Sequence, residues 1–129
     1  MNRFVILMLL ALAAVAGANA QGPAPAPSVH FDMLKGSWVR PDGGYTITIK
    51  SVAADGKLEA MYANPNPLPF SRAQVSRDGT ALRVFLELHA GGYKGSTYEL
   101  FYEPQNDRLR GMYYQAAVKQ QFEVYFARK

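Results

Sequence analysis

His30 and His89 are the only histidines, ten Asp and Glu residues supply all the carboxylates, and there is no cysteine. That inventory is what the chain offers for proton transfer, nucleophilic attack or metal binding. Nucleophilic catalysis needs a base within hydrogen-bond reach, and general acid–base work needs titratable groups converging in a cleft. His30 lies beside a Pro/Ala-rich segment, and His89 has outward parity at a strand end. Asp55, Asp78 and Asp107 are explained by the turns they belong to, and Glu59, Glu87, Glu99 and Glu123 all take outward strand positions. Two separated histidines without cysteine make no zinc site. Residues 91–95 (Gly-Gly-Tyr-Lys-Gly) lack the strand-to-helix context of a phosphate loop. The expectation is a protein with no catalytic residues, no cofactor and no metal site.

The side chains with something to offer are aromatic and amphipathic. Inward parity near one end of the expected fold collects Arg40, Tyr45, Tyr62, Tyr98, Tyr113, Gln115 and Gln120. Rings tipped with hydroxyls and amides suit a small amphipathic ligand. They equally suit a barrel that fills itself, because eight strands enclose a space just wide enough for side chains. Asn64, Leu68 and Phe70 join the candidate ligand set through the stretch Asn64-Pro65-Asn66-Pro67-Leu68-Pro69-Phe70, whose alternating prolines stiffen it. It reads as a semi-rigid lid over a pocket or as a connection that caps the fold with its own hydrophobes. On the outer side, Phe101, Arg110 and Tyr125 fall in one cross-strand row, with Met112 between Glu99 and Glu123 and Phe85 extending the row. This is a candidate surface for a protein partner or a homodimer, or a set of solvent-facing cross-strand pairs.

Strands must position these groups. Residues 45–50 alternate Tyr, Ile, Ile against Thr, Thr, Lys, as a half-buried strand does. From Ser37 onward, turn signals recur about every dozen residues: Pro41-Asp42-Gly43-Gly44, Asp55-Gly56, residues 64–69, Asp78-Gly79, residues 90–95, 104–107 and 116–119. Period-two patterning between regular turns points to an all-β meander. A two-residue turn at Asp55-Gly56 sets Ile49 opposite Tyr62 and Ser51 opposite Ala60, and the same rule at Asp78-Gly79 sets Val75 opposite Leu82 and Ala73 opposite Val84. Four-residue loops at 104–107 and 116–119 set Tyr102 opposite Leu109, Tyr98 opposite Tyr113, Tyr113 opposite Phe122 and Leu109 opposite Phe126. Apolar residues share one face throughout, and a one-residue slip would scatter them. The expected fold is an eight-stranded antiparallel up-and-down β-barrel, since closure over the dry face removes exposed edges. A β-sandwich or split barrel is the alternative.

Ahead of this domain, residues 1–20 read as a signal peptide: Arg3, an apolar run at 4–15 too short to span a bilayer, and Ala18-Asn19-Ala20 as the cleavage site. No Cys follows, so a lipoprotein anchor is excluded and no membrane span is expected after cleavage. The implied location is periplasmic or extracellular. Residues 21–28 (QGPAPAPS) form an extended tether, residues 29–35 a short helical or irregular turn, and 29–129 the single barrel domain. Fourteen Lys and Arg against ten Asp and Glu give a formal charge of +4, and the leader removes only Arg3. So small an excess does not point to nucleic acid.

Gly36-Ser37-Trp38 opening the first strand, with Arg128 late in the last, resembles the calycin group of lipocalins, fatty-acid-binding proteins and avidin-like proteins. The resemblance implies an Arg128–Trp38 cation–π contact closing the barrel floor. It also implies ligand access at the opposite end, among the loops around residues 41, 65, 92 and 118. The chain lacks a helix after its last strand, and the biotin-holding residues of avidins are not matched. Lipocalin-like barrels also include bacterial metalloprotease inhibitors that use a flexible N-terminal segment. That likeness implies an alternative role for the tether in a protein-interaction module, with a structural envelope protein as a further possibility.

Overall fold

A computed structural model describes residues 30–129. Eight consecutive strands close into an up-and-down antiparallel barrel, consistent with a calycin-like fold. The strands are β1 (Gly36–Val39), β2 (Thr46–Val52), β3 (Leu58–Ala63), β4 (Pro67–Asp78), β5 (Ala81–Leu88), β6 (Thr97–Glu103), β7 (Arg108–Gln115) and β8 (Gln120–Arg128). β1 pairs with β8 through Trp38 opposite Arg128 and Val39 opposite Ala127, which closes the ring. The expected signal peptide and tether lie outside the described residues.

The two later hairpins have the register expected of their loops: Tyr102 faces Leu109, Tyr98 faces Tyr113, and Tyr113 faces Phe122. The two earlier ones differ. Ile47, not Ile49, faces Tyr62, and Ile49 faces Ala60. The β2–β3 turn is wider than two residues, since the Ala53 amide donates to the Lys57 carbonyl (2.9 Å), and a bulge between Ile49 and Ser51 adds a second one-residue shift. In the β4–β5 hairpin, Val75 faces Val84 and Ala73 faces Leu86. Its tip is Gly79-Thr80, with Asp78 already paired to Ala81. Gly79, at φ +62°, takes the first tip position, where a positive φ is needed, instead of the second. At Ile47–Tyr62 and in the β4–β5 hairpin the register moves by two residues and the inward residues stay inward. Between the bulge and the β2–β3 turn it moves by one, so Ser51 faces Glu59 instead of Ala60 and Val52 takes the place against the core.

That inward set is the core. Ile47, Tyr62, Leu86, Tyr98, Leu100 and Phe126 are all buried. The floor is closed by a 3₁₀ turn at Phe31–Leu34. Leu34 is buried there and its carbonyl accepts the Trp38 indole N–H (2.9 Å). Arg128 stacks over Trp38 at 4.2 Å. It also donates to the Asp107 carboxylate (2.7 and 3.0 Å) and to the carbonyls of Lys35 and Met33 (both 2.6 Å). Gly36 is part of this clamp: it sits at φ +128°, and a Cβ there would lie 2.8 Å from Arg128 Nη1. The turn therefore requires glycine.

The proline-rich stretch is not a lid. The turn is confined to residues 64–66, and Pro67 begins β4, with Ala63 opposite Pro67, Tyr62 opposite Leu68 and Met61 opposite Pro69. Pairing with β5 begins only at Phe70. The prolines therefore occupy a stretch with a neighbour on one side, where a missing donor is tolerated.

Candidate functional site

Four connections surround the mouth opposite the floor: residues 40–45, 64–66, 89–96 and 116–119. Arg40 follows β1 and keeps its inward parity. Its amide donates to the Tyr45 carbonyl (2.8 Å), which folds the turn back over the barrel axis. The guanidinium lies 4.3 Å above the Tyr45 ring and 5.7 Å from that of Tyr113. Nε donates to Asp42 (2.6 Å) and Nη1 to the Tyr98 hydroxyl (3.2 Å). Nη2 has no partner among the described residues. The sequence set Arg40 among the lining of an aromatic cage, and the structure puts its guanidinium inside that cage.

Below it the tyrosines use one another. The Tyr62 and Tyr98 hydroxyls are 3.0 Å apart, and both residues are fully buried. Tyr98 stacks on Tyr113 at 4.6 Å, Tyr45 stacks on Tyr62 at 5.8 Å, and Phe70 packs on Tyr62 at 5.9 Å. Burial pushes the Tyr62 hydroxyl far above the usual phenol range, with the Tyr98 hydroxyl adding to the effect. Burial likewise pushes Tyr98 up to about 12, although the bonds from Tyr62 and Arg40 act the other way. Burial pulls Arg40 down, but Asp42 and Tyr98 outweigh it and the guanidinium is held charged above its ordinary value. Both phenols are therefore neutral at physiological pH beneath a fixed cation.

The remaining mouth candidates divide. Asn64 donates to the Tyr93 hydroxyl, and Tyr93 sits edge-on to Tyr62 at 6.3 Å. The pair roofs one side of the column. Leu68 and Phe70 pack against the core from β4. Gln115 and Gln120 are the last pair of the β7–β8 ladder, at the rim. Sequence reasoning missed Phe122 and Val118, which are 43% and 51% exposed at the same end. Phe122 stacks over Tyr113 at 6.4 Å and has the inward parity that could have marked it.

On the outer face Arg83, Phe101, Arg110 and Tyr125 form a continuous cross-strand row. Arg108 and Arg110 both approach the Tyr125 ring (5.2 and 5.9 Å). Phe85 belongs to the next row, opposite Glu99, and carries the Arg72 guanidinium at 5.2 Å. Cavities of about 320 Å³ each lie on the β3–β5 wall. Compared with known proteins, the chain matches no family model, no curated protein and no solved structure.

Proposed function

We propose that this is an exported, non-enzymatic lipocalin-like barrel that binds a small amphipathic anion across its mouth. The observation that carries the reading is Arg40: a charged guanidinium held between tyrosine rings, with Nη2 unpartnered and Phe122 exposed beside it. A carboxylate or similar anion would pair with Nη2, and its apolar body would lie on Phe122, Val118 and Tyr113. The hydroxyl pairing beneath Arg40 favours a ligand at the rim over one sunk in the interior, because displacing the column would strand buried phenols. A second reading, a protein-interaction module, is favoured by the outer Arg–aromatic row, where Tyr125 is exposed, with Met112 exposed in the row beside it.

Octanoate and octanol distinguish the ligand reading by titration calorimetry on the exported protein. Octanoate should bind at least about tenfold more tightly than the alcohol, a charge-assisted hydrogen bond being the difference. Arg40→Gln should remove that difference. Equal binding of acid and alcohol, or an unchanged Arg40→Gln, would sink the proposal.

A further inference from the structure

The barrel wall is interrupted at one seam. Between Met61 opposite Pro69 and the single bridge Lys57 opposite Gln74, residues 58–60 of β3 and 70–73 of β4 share no ladder pair. A bulge between Phe70 and Arg72 falls in the same stretch of β4. The regular ladder is interrupted there, between the Met61–Pro69 pair and the Lys57–Gln74 bridge. One of the two cavities occupies the seam, with Leu58, Ala60 and Phe70 as its apolar floor and Lys57 and Arg72 at its rim. The other continues across β4 and β5 to Arg83 and Phe85, and both are lined by Arg72 and Gln74.

The charges along this groove are mostly positive. Lys57, Arg72 and Arg83 line it against Asp55 alone, and Asp55 accepts the Lys57 amide (3.0 Å) within its own turn. Neither Lys57 nor Arg72 is ion-paired among the described residues. Glu87 stands opposite Arg72 but accepts the Ser71 hydroxyl (2.8 Å). Arg83 pairs with Glu99 through Nη2 (3.1 Å), while its Nε is shielded from solvent with no hydrogen-bond partner. Arg72 lies on the Phe85 face, a preorganised position for a guanidinium that receives a carboxylate.

From the broken ladder and the unpaired cations together we infer that the β3–β5 outer wall is a docking groove for an extended acidic peptide segment of a partner protein. The main chain of the interrupted stretch recognises the peptide backbone, and Lys57, Arg72 and Arg83 recognise carboxylates on alternate residues of one face. Such a contact is steered by charge and weakens with salt.

The test uses the exported protein and a synthetic octapeptide alternating Glu and Val, followed by fluorescence anisotropy beside its Gln-for-Glu analogue. The acidic peptide should bind, lose affinity as salt rises, and weaken about fivefold with Lys57→Gln and with Arg72→Gln, each an exposed side chain whose loss leaves the core intact. Arg40→Gln should leave peptide binding unchanged, which separates this groove from the mouth. Equal binding of the Gln analogue, or wild-type affinity in both groove variants, would overturn the inference. So would complete displacement of the peptide by millimolar inorganic phosphate, since the groove would then be a general anion site.

Discussion

Arg128 at the floor and Arg40 at the mouth are built from the same parts and differ in how fully they are used. Each guanidinium lies on an inward aromatic ring, 4.2 Å from Trp38 and 4.3 Å from Tyr45, with an aspartate on its Nε. At the floor, Asp107 receives two bonds, and the carbonyls of Met33 and Lys35 receive two more. At the mouth, Asp42 receives one, Tyr98 receives another, and Asp42 is 64% exposed. An arginine with every nitrogen committed within the chain is a fastener. An arginine with a donor unpartnered among the described residues and a solvent-facing counterion can exchange partners, and that asymmetry separates the fastened floor of this barrel from the mouth proposed to bind.

The largest expected effect follows from removing each arginine. Arg128→Met should lower unfolding free energy by about 2–3 kcal/mol, because it loses the bonds to Asp107 and to two carbonyls together with the ring contact. Arg40→Met should cost under about 1 kcal/mol, with one surface ion pair and one hydrogen bond lost. Urea melts of the two variants measure both, and equal losses would break the comparison.

The two ends should also respond differently to pH. Arg128 holds the Asp107 carboxyl below its ordinary range. Its stabilisation is complete above pH about 4 and is lost as pH falls through the lowered value. Asp107→Asn, which tolerates the positive φ of 48° there, should flatten the acid limb of a stability–pH curve. It should also make the alkaline limb slightly shallower, because the Asp107 carboxylate accepts the Tyr102 hydroxyl (2.9 Å) and helps hold that phenol above its ordinary range. Tyr98 is the reverse case. Its folded value is raised, so the stabilisation is complete below pH about 10 and is lost as pH climbs through about 12. Tyr98→Phe should make the alkaline limb shallower while the acid limb stays as it was.

The smallest effect sharpens the mouth alone. Asp42→Asn removes the competitor on Arg40 Nε, so octanoate should bind about two- to threefold more tightly, with stability within about 0.5 kcal/mol of wild type. Weaker binding would mean that Asp42 positions Arg40 and does not compete for it.

Much of this barrel was legible in local pattern. Period-two alternation marked the strands, the loops at 104–107 and 116–119 set their registers correctly, and the resemblance to calycins put Arg128 against Trp38. Where the reading slipped, the cause has no mark in composition. The bulge between Ile49 and Ser51 inserts a residue indistinguishable from its neighbours. Gly79 can occupy either tip position of a hairpin until its partners are fixed. Pro67 and Pro69 look like loop, but they sit in a strand because β5 has not yet reached them.

Local alternation was enough to say which side chains face inward along the regular strands, because direction alternates residue by residue and survives any two-residue change of register. It failed beside the Ile49–Ser51 bulge, where Val52 turns in and Ser51 out. What the inward side chains do with one another came from the closed barrel. Tyr62 and Tyr98 are 36 positions apart, yet their hydroxyls meet at 3.0 Å, and Arg40 reaches across 58 positions to Tyr98. Such contacts depend on barrel curvature, which is the sum of every strand's twist and every bulge. A local pattern fixes direction but carries no information about that sum, and so it could place Arg40 at the cage without showing that Arg40 fills it.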